Sequence, residues 1–297
     1  NASHSSYARA ALAAGKHVIC EKPLATSVPE AEELARAAKQ PGLVATIPYV
    51  YRYHPLVREL RARRIQGELG DIKLVHGSYL QDWLLSPLST SWRVSATAGG
   101  RSRAFADIGS HWCDLAEFIL GEKFTSLTAR TSIAYPTRPA PAGTSFSGAT
   151  QSEDAVAVDT EDVATVTLTT ESGVLANTVI SQVSGGRKNR LWIEIDGSKS
   201  SAVFDQENPE QVWIGTESGA TILRRGEGNV SAAQSALNLV PAGHPQGYTN
   251  AFDAFVRDTY SAVAGGEPDS LPTFEDGLRS VRLIEAVLAS ADTRSWQ

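Results

Sequence analysis

Three side chains in two short motifs have the types needed to move a proton on and off an alcohol. Asp107 and His111 stand four positions apart in Asp107-Ile-Gly-Ser-His111, at the predicted start of a helix. Lys22 lies in a Glu-Lys-Pro sequence, directly after the apolar run 17–20, which is typical of a buried strand. An imidazole near its neutral pKa serves as a general base, and an ammonium stabilises negative charge on oxygen. If the fold brings the three together, they predict the proton-transfer half of a hydride-transfer reaction, with Lys22, Asp107 and His111 as catalytic residues.

The elements that must position Lys22 alternate between helix and strand in the first part of the chain. The apolar spacing and the Pro/Gly breaks predict helices and strands in the order helix 4–14, strand 16–20, helix 27–39, strand 43–51 and helix 54–66. This alternation is typical of a parallel α/β sheet.

The pattern changes after Gly70, where strand-like runs dominate. Leu191, Ile193 and Ile195 alternate with polar residues, and this period of two predicts a strand with one buried face. Short turns between such runs favour hairpins, so this part is predicted to hold a large, mostly antiparallel sheet with a few helices. We interpret the Pro/Ser/Gly/Ala-rich residues 136–155 as a surface loop and predict the last helix over 275–291.

Composition and charge exclude several classes of protein. The 297 residues are 20% charged and 42% hydrophobic, with a formal net charge of −6, which argues against a nucleic-acid or anionic-membrane partner. Apolar runs fall short of the roughly 18 residues that a membrane span needs. The two cysteines, Cys20 and Cys113, are expected to be buried reduced thiols, which favours a cytoplasmic location.

Several motifs together resemble one known family, the glucose–fructose oxidoreductase / inositol dehydrogenase / rhizopine-catabolism oxidoreductases. They are Asn1-x-x-His4-x-x-x-Ala8, Gly15-Lys-His-Val-Ile-Cys-Glu-Lys-Pro23, Asp107-x-Gly109-x-His111-x-x-Asp114 and the tail Pro272-Thr-Phe-Glu-Asp-Gly277. Because these motifs occur in this order from one end to the other, the resemblance covers essentially the whole chain.

The resemblance implies an α/β fold: the C-terminal part of a Rossmann-type domain, followed by an α+β domain with a large, mostly antiparallel sheet. It assigns residues 1–70 to the remaining part of a dinucleotide-binding domain and 71–297 to a substrate and oligomerisation domain, with helix 275–291 packing back on the first. The implied activity is an NAD- or NADP-dependent dehydrogenase of a sugar or polyol. The implied assembly is a homodimer or homotetramer that pairs through the open face of the sheet, where Thr165, Thr167 and Thr169 lie.

The resemblance also implies roles for individual residues. His111 is expected to take the hydroxyl proton, Asp107 to position and polarise, and Lys22 to stabilise the reacting oxygen. Residues expected at the cofactor are Asn1, His4, Glu21, Lys22 and Pro23. Residues expected at the substrate are Tyr51, Arg52, Trp92, Arg93 and His244. Asp114 is expected to have a structural role.

The sequence leaves some alternatives open. The family's Gly-rich phosphate loop precedes the segment matched by Asn1, and Gly226-Glu-Gly228 follows an antiparallel type of strand, so we assign no phosphate loop. With no methionine and a loop-like start, the chain is expected to be a fragment or an incomplete sequence. A non-catalytic sugar- or nucleotide-sensing homologue and an NAD-dependent glycosidase on the same scaffold are the rival functions. The spacing around His111 is unlike that of a zinc site, so no metal is predicted. Neither the particular sugar nor the choice between NAD and NADP follows from these residues.

Overall fold

The positions of eight α-helices and twelve strands were established with a computed structural model, which describes residues 1–142 and 150–297. The helices are α1 (His4–Ala13), α2 (Val28–Ala37), α3 (Pro55–Ile65), α4 (Ala96–Gly99), α5 (Ser110–Leu120), α6 (Ala232–Ser235), α7 (Tyr248–Val263) and α8 (Phe274–Thr293). The strands are β1 (Val18–Ile19), β2 (Ala45–Thr46), β3 (Ile72–Leu80), β4 (Phe124–Ser132), β5 (Thr137–Ala142), β6 (Thr150–Ala157), β7 (Val163–Thr170), β8 (Leu175–Ser181), β9 (Arg190–Gly197), β10 (Ser201–Asp205), β11 (Gln211–Thr216) and β12 (Gly219–Arg224).

The first part of the chain holds a small parallel sheet. β1 pairs with β2, with Val18 opposite Ala45, and helices α1 and α2 pack beside it. The predicted strand 43–51 was wrong beyond Thr46. Pro48 has no amide hydrogen for a ladder, and the chain turns instead into a 3₁₀ helix at Val50–Tyr53. Because β1 and β2 run in the same direction, the residues that follow them leave the sheet at one edge.

The second part is built on a mixed, mostly antiparallel sheet, as the sequence predicted. Among the described residues its strand order is β12-β11-β10-β9-β3-β8-β7-β4. β3 and β8 pair parallel, and the other neighbours pair antiparallel. The alternation in β9 is confirmed, since Leu191, Ile193 and Ile195 are fully buried.

Helix α5 covers one face of the sheet. The indole Nε1 of Trp112 donates to the carbonyl oxygen of Trp192 at 3.0 Å. A Cβ added at Gly77 would lie 2.6 Å from Trp112 Nε1 and 2.1 Å from that same carbonyl oxygen, so the glycine permits the close approach of helix and sheet. The other side of the sheet, which we call the open face, carries exposed apolar side chains from β8, β11 and β12.

Residues 136–155 were predicted as a loop, and this prediction was wrong for most of them. β5 and β6 form an antiparallel pair with Thr137 opposite Ala157 and Arg138 opposite Val156. A two-stranded ribbon has free edges that tolerate proline, so composition alone misled the prediction. Residues 143–149 lie outside the described part of the chain.

Helix α8 joins the two parts. Phe274, Leu278 and Val281 belong to the apolar cluster around α2, whereas Leu283 and Val287 belong to the core under the large sheet. In the described part of the chain, helices that combine the length and the apolar character of a membrane span do not occur.

Candidate active site

A cavity of about 1150 Å³ opens where the carboxyl ends of β1 and β2 face the large sheet. Its lining includes side chains from both parts of the chain, so the fold itself brings distant motifs together. The lining residues that the sequence had singled out as site residues are Asn1, His4, Glu21, Lys22, Tyr51, Trp92, Arg93, Asp107 and His111. All three predicted catalytic residues therefore share one cavity.

Lys22 and Asp107 form a partly buried ion pair on the cavity wall. Lys22 Nζ donates to Asp107 Oδ1 at 2.9 Å and to the Asp107 carbonyl oxygen at 2.6 Å. Asp107 lies in a π-helical turn, Phe105–Gly109, that leads directly into α5. Such turns are rare and occur frequently at functional sites. The lysine follows β1, so one strand end and one irregular helix start position the pair.

The charge environment keeps Asp107 ionised. Burial raises the pKa of its carboxyl, but the opposing effects of Lys22 and Arg93 outweigh burial and hold that pKa below its usual range. Arg93 Nε lies 3.8 Å from Asp107 Oδ1. At neutral pH the cavity therefore contains a fixed carboxylate beside an ammonium group.

His111 is held by aromatic packing. Its ring lies edge-on to Tyr49 at 5.6 Å and to Tyr51 at 5.2 Å between centroids. Its buried Nδ1 has no hydrogen-bond partner among the described residues. Burial, reinforced by the Lys22 ammonium, lowers the pKa of His111 well below its ordinary value. The imidazole is therefore unprotonated at neutral pH, which is the form a general base needs.

The four-residue spacing suggested a contact between Asp107 and His111, but the Asp107 carboxylate contacts other side chains. One helical turn separates the two residues in sequence, but the hydrogen bonds described for the Asp107 carboxylate run to Lys22 and to Gln182 Nε2, the latter at 2.9 Å. The π-helical turn changes the register that a regular helix would give. Asp107 thus acts on His111 through its charge.

A ring of hydrogen bonds lines the cavity beside His111. The hydroxyl groups of Tyr51 and Tyr79 lie 2.6 Å apart, and Tyr79 donates to Asn189 Oδ1 at 2.6 Å. Asn189 Nδ2 donates back to the Tyr51 hydroxyl at 3.2 Å, and Gln81 Nε2 donates to Asn189 Oδ1 at 3.0 Å. Burial raises the pKa of Tyr51 to about 12, so its phenol stays neutral. Sequence reasoning missed Tyr79 and Asn189; the one available signal was the position of Tyr79 at the end of β3, close to the polar loop after it.

The outer wall of the cavity is a segment that we call the wall loop, residues 84–91. Arg138, fully buried on β5, donates to the carbonyl oxygens of Leu84 at 2.8 Å and of Ser86 and Ser89 at 2.9 Å each. It also donates to Asp162 Oδ1 at 3.2 Å. The β5–β6 pair that composition had suggested was a loop therefore anchors part of the cavity.

Arg52 does not line the cavity, so its predicted contact with substrate is corrected. Its guanidinium is buried and donates to both oxygens of Asp114 and to Asp276 Oδ1, the latter at 2.7 Å. We call Arg52, Asp114 and Asp276 the interior cluster. Burial raises the pKa of Asp114 to about 6, against the pull of Arg52. Asp114 therefore binds an arginine inside the protein, in line with the structural role expected for it.

His244 and Pro23 are also absent from the cavity lining. His244 is exposed, and its carbonyl oxygen accepts a hydrogen bond from Arg225 at 2.6 Å. Tyr248, at the start of α7, reaches the cavity in its place. The Pro23 carbonyl oxygen lies 2.7 Å from His4 Nδ1, so Pro23 contacts a predicted cofactor residue without facing the cavity.

A potential metal-ligand group lies elsewhere. Within the described ranges, His76, Glu194 and Asp196 are the group of three such side chains close enough to share one ion. They project from neighbouring strands β3 and β9 onto the open face and do not line the cavity.

Comparisons with known proteins give a consistent result. A family model described as "Oxidoreductase family, NAD-binding Rossmann fold" matches residues 1–49, and one described as "GFO/IDH/MocA C-terminal domain" matches residues 57–203. Levoglucosan dehydrogenase of Pseudarthrobacter phenanthrenivorans is 31% identical over 303 residues, covering 99% of this chain and 76% of that protein.

Two solved structures show the same fold with a nucleotide bound. A levoglucosan dehydrogenase in complex with NADH superposes with a TM-score of 0.89 at 29% identity, covering 100% of this chain and 77% of that one. An inositol dehydrogenase homologue from Azotobacter vinelandii, complexed with NADH and myo-inositol, superposes with a TM-score of 0.82 at 28% identity, covering 100% of this chain and 75% of that one.

Proposed function

The chain belongs to the Gfo/Idh/MocA family of oxidoreductases, and from this premise we propose that it is an NAD(P)-dependent dehydrogenase of a neutral sugar or polyol. The observation that carries the proposal is the cavity shared by Lys22, Asp107 and His111. The relatives named above, which include a sugar dehydrogenase and a polyol-bound homologue, support the same class of reaction.

The residues present fit the nicotinamide end of such a cofactor. The cavity of about 1150 Å³ has room for a nicotinamide riboside beside a sugar ring, and Asn1, His4, Glu21 and Lys22 line one side of it. These residues would hold the cofactor, with the His4 ring oriented by the Pro23 carbonyl oxygen. Because NADH or NAD⁺ occupies the related structures, NAD is the cofactor to test first.

The proposed mechanism assigns the proton chemistry to the three residues of the cavity. When bound, the oxidised nicotinamide supplies the hydride acceptor. The neutral imidazole of His111 takes the proton from the substrate hydroxyl. Lys22 donates a hydrogen bond to the same oxygen and stabilises the negative charge that develops on it. Asp107 holds the Lys22 ammonium in place, and in the reverse direction His111 returns the proton to the carbonyl oxygen.

A neutral polyhydroxy substrate suits the remaining lining. Trp83, Trp92 and Tyr248 offer aromatic faces, and the ring of Tyr51, Tyr79 and Asn189 offers uncharged donors and acceptors. Aromatic faces pack against the apolar faces of rings, while the polar groups fix orientation. The sensing homologue is disfavoured, because a non-catalytic protein has no use for a lysine and a neutral histidine in one cavity.

The test is oxidation of a panel of sugars, anhydrosugars and inositols by the full-length protein with NAD⁺ and NADP⁺, followed by the absorbance of the reduced nicotinamide. We expect turnover with at least one member, and a loss of about 10²–10⁴-fold in kcat/KM for His111→Asn, because a general base contributes about that much. His244→Asn is the matched control, since His244 is exposed outside the cavity, and it should keep parent activity. Equal activity of both variants would refute the assignment.

Tightly bound cofactor that never exchanges, with hydrolysis of a glycoside, would favour the glycosidase alternative.

We also propose that two copies pair through the open face. Trp213 and Ile222 lie opposite each other on β11 and β12 and are 36% and 50% exposed, and Leu175 on β8 is 53% exposed; contiguous exposed apolar side chains mark interaction surfaces. A sedimentation measurement should give a dimer or tetramer for the full-length protein and smaller species for Trp213→Glu; a monomeric parent would contradict the pairing.

A further inference from the structure

Gln182 connects the cavity to a charged cluster inside the protein. It follows β8, is fully buried and does not line the cavity. Its side-chain Nε2 donates to Asp107 Oδ2 at 2.9 Å, and its Oε1 accepts from Arg103 Nη1 at 3.1 Å. Both ends of the amide are therefore engaged by charged groups.

The chemistry of the two partners fixes which way the amide points. A guanidinium only donates hydrogen bonds, so the atom facing Arg103 must be the amide oxygen. The NH₂ group is then directed at Asp107, whose ionised carboxylate only accepts. Reversal of the amide would place two donors together at one end and two acceptors at the other.

Arg103 is itself immobilised. Its Nη2 donates to Asp162 Oδ1 at 2.5 Å, both side chains are fully buried, and its Nε donates to Thr160 Oγ1 at 3.1 Å. Side chains held by several buried charge-assisted hydrogen bonds have one arrangement. A continuous series of contacts thus runs from Asp162 through Arg103 and Gln182 to Asp107.

We propose that Gln182 is a positioning residue for the reaction: it fixes the Asp107 carboxylate so that Oδ1 faces Lys22, while its neutral amide keeps the Arg103 charge out of the cavity. Arg93 Nε already lies 3.8 Å from Asp107 Oδ1, and a second arginine in hydrogen-bond contact with the carboxylate would compete with Lys22 for it. An amide transmits orientation without delivering a charge. This inference rests on the proposed function for its kinetic consequence, although the effect on Asp107 does not depend on turnover.

The decisive variant is Gln182→Met in the full-length protein, which keeps the length of the side chain and removes both the donor to Asp107 and the acceptor for Arg103. We expect kcat to fall about 10–100-fold, as misplacement of a reacting group does, with the affinity for NADH, measured by fluorescence, unchanged. The pKa of the Asp107 carboxyl should rise, because a carboxylate that loses a donor is protonated more easily. The matched control is Gln234→Met: Gln234 is also fully buried, but it binds Glu59 and Gly226 outside the cavity. It should lose comparable thermal stability while keeping parent kcat.

A second variant keeps the proposal testable if the Gln182→Met protein does not fold. Gln182→Glu keeps the shape and an acceptor for Arg103, and it can donate to Asp107 only while its carboxyl is protonated. Its kcat should therefore decline as the pH rises through that titration, a dependence that a purely structural role would not produce.

The outcomes separate this inference from the function. The pKa of Asp107, followed by NMR of ¹³C-labelled aspartate with Asp107→Asn for assignment, should rise in Gln182→Met whether or not a sugar is oxidised. A parent that oxidises no sugar, combined with that rise, would overturn the function and uphold the positioning role. An unchanged Asp107 pKa, or a kcat within about twofold of the Gln234→Met control, would overturn the positioning role alone.

Discussion

Two clusters of oppositely charged side chains form around one helical segment, residues 105–120, which contributes at least one carboxylate to each. Lys22, Asp107 and His111, which we call the cavity cluster, face the cavity, and the interior cluster of Arg52, Asp114 and Asp276 faces the protein interior. Each cluster contains a carboxylate with limited solvent exposure that is paired with a positively charged side chain. The two carboxylates nevertheless respond oppositely, since the pKa of Asp107 is lowered and that of Asp114 is raised to about 6.

The two pKa shifts differ because the carboxylates have different numbers of positive neighbours, and because one of them shares its positive neighbour with a second carboxylate. Asp107 has Lys22 with Arg93 nearby, whereas Asp114 shares a single guanidinium with a second carboxylate, Asp276. One motif, Asp107-x-Gly-x-His111-x-x-Asp114, contributes to both clusters. Residue type and spacing therefore identify charged pairs, and access to a cavity distinguishes a reactive pair from a structural one.

The largest effect should come from breaking the interior cluster. Arg52→Met leaves two carboxylates without their shared cation, and removal of one partner from a buried ion pair costs about 3–5 kcal/mol. Urea unfolding measures this loss. The control Arg282→Met removes an exposed pair with Glu32 and should cost less than about 1 kcal/mol. Similar losses in the two variants would mean that the interior cluster is not structural.

Breaking the cavity cluster should act on rate instead of stability. Lys22→Met removes the donor to the reacting oxygen, and loss of one such donor costs about 10²–10³-fold in kcat. Steady-state kinetics and urea unfolding, run on the same samples, separate the two effects. Lys39→Met, which removes an exposed lysine paired with Glu275, is the control for loss of a positive charge. A variant at Lys22 that loses stability but keeps its rate would reverse our comparison of the clusters.

The smallest expected effect is the position of the acid limb of the pH–rate profile, which should lie below the ordinary histidine pKa. Because the folded-state pKa of His111 is below 6.5, the acid limb of kcat/KM should lie below that value. The lowered pKa of His111 also affects the free energy of unfolding, because the unfolded state binds the proton more readily than the folded state. The stabilising contribution of His111 is therefore present above pH 6.5 and is lost as the pH falls. Profiles of rate and unfolding free energy from neutral to mildly acidic pH test both statements. An acid limb at or above the ordinary histidine value would contradict the buried, neutral imidazole.

The sequence predicted the parts of the fold that depend on periodicity. The alternating strand β9 and the amphipathic helices α3 and α8 occur within a few residues of their predicted bounds. The sequence could not predict the β5–β6 pair, because Pro- and Gly-rich composition is typical of loops and only tertiary pairing overrides it. The strand predicted to Tyr51 ends instead at Thr46, because Pro48 has no amide hydrogen for a ladder.

The site was predicted where motifs carry it and missed where only topology does. The motifs pointed to Lys22, Asp107 and His111, which the fold brings into one cavity. Tyr79, Gln182 and Asn189 come from strands and turns that neighbour each other only in the folded sheet, and the one local signal was the position of Tyr79 at the end of β3. Arg52 was misplaced because its surroundings in sequence, a run of tyrosines, resemble a sugar site as much as a buried ion pair.

The anchoring of the wall loop by Arg138 has a consequence for engineering. β5 and β6 lie between β4 and β7 in the chain but outside the strand order of the large sheet, and Arg138, which also binds Asp162, ties them to the wall loop. The β5–β6 ribbon is thus a segment that can be exchanged without changing the strand order of the large sheet. The wall loop lines the cavity, whereas the described residues of β5 and β6 do not. Exchange of the ribbon between homologues, with these two anchoring residues retained, would therefore act on substrate selectivity through the wall loop and leave the Lys22 and His111 chemistry intact.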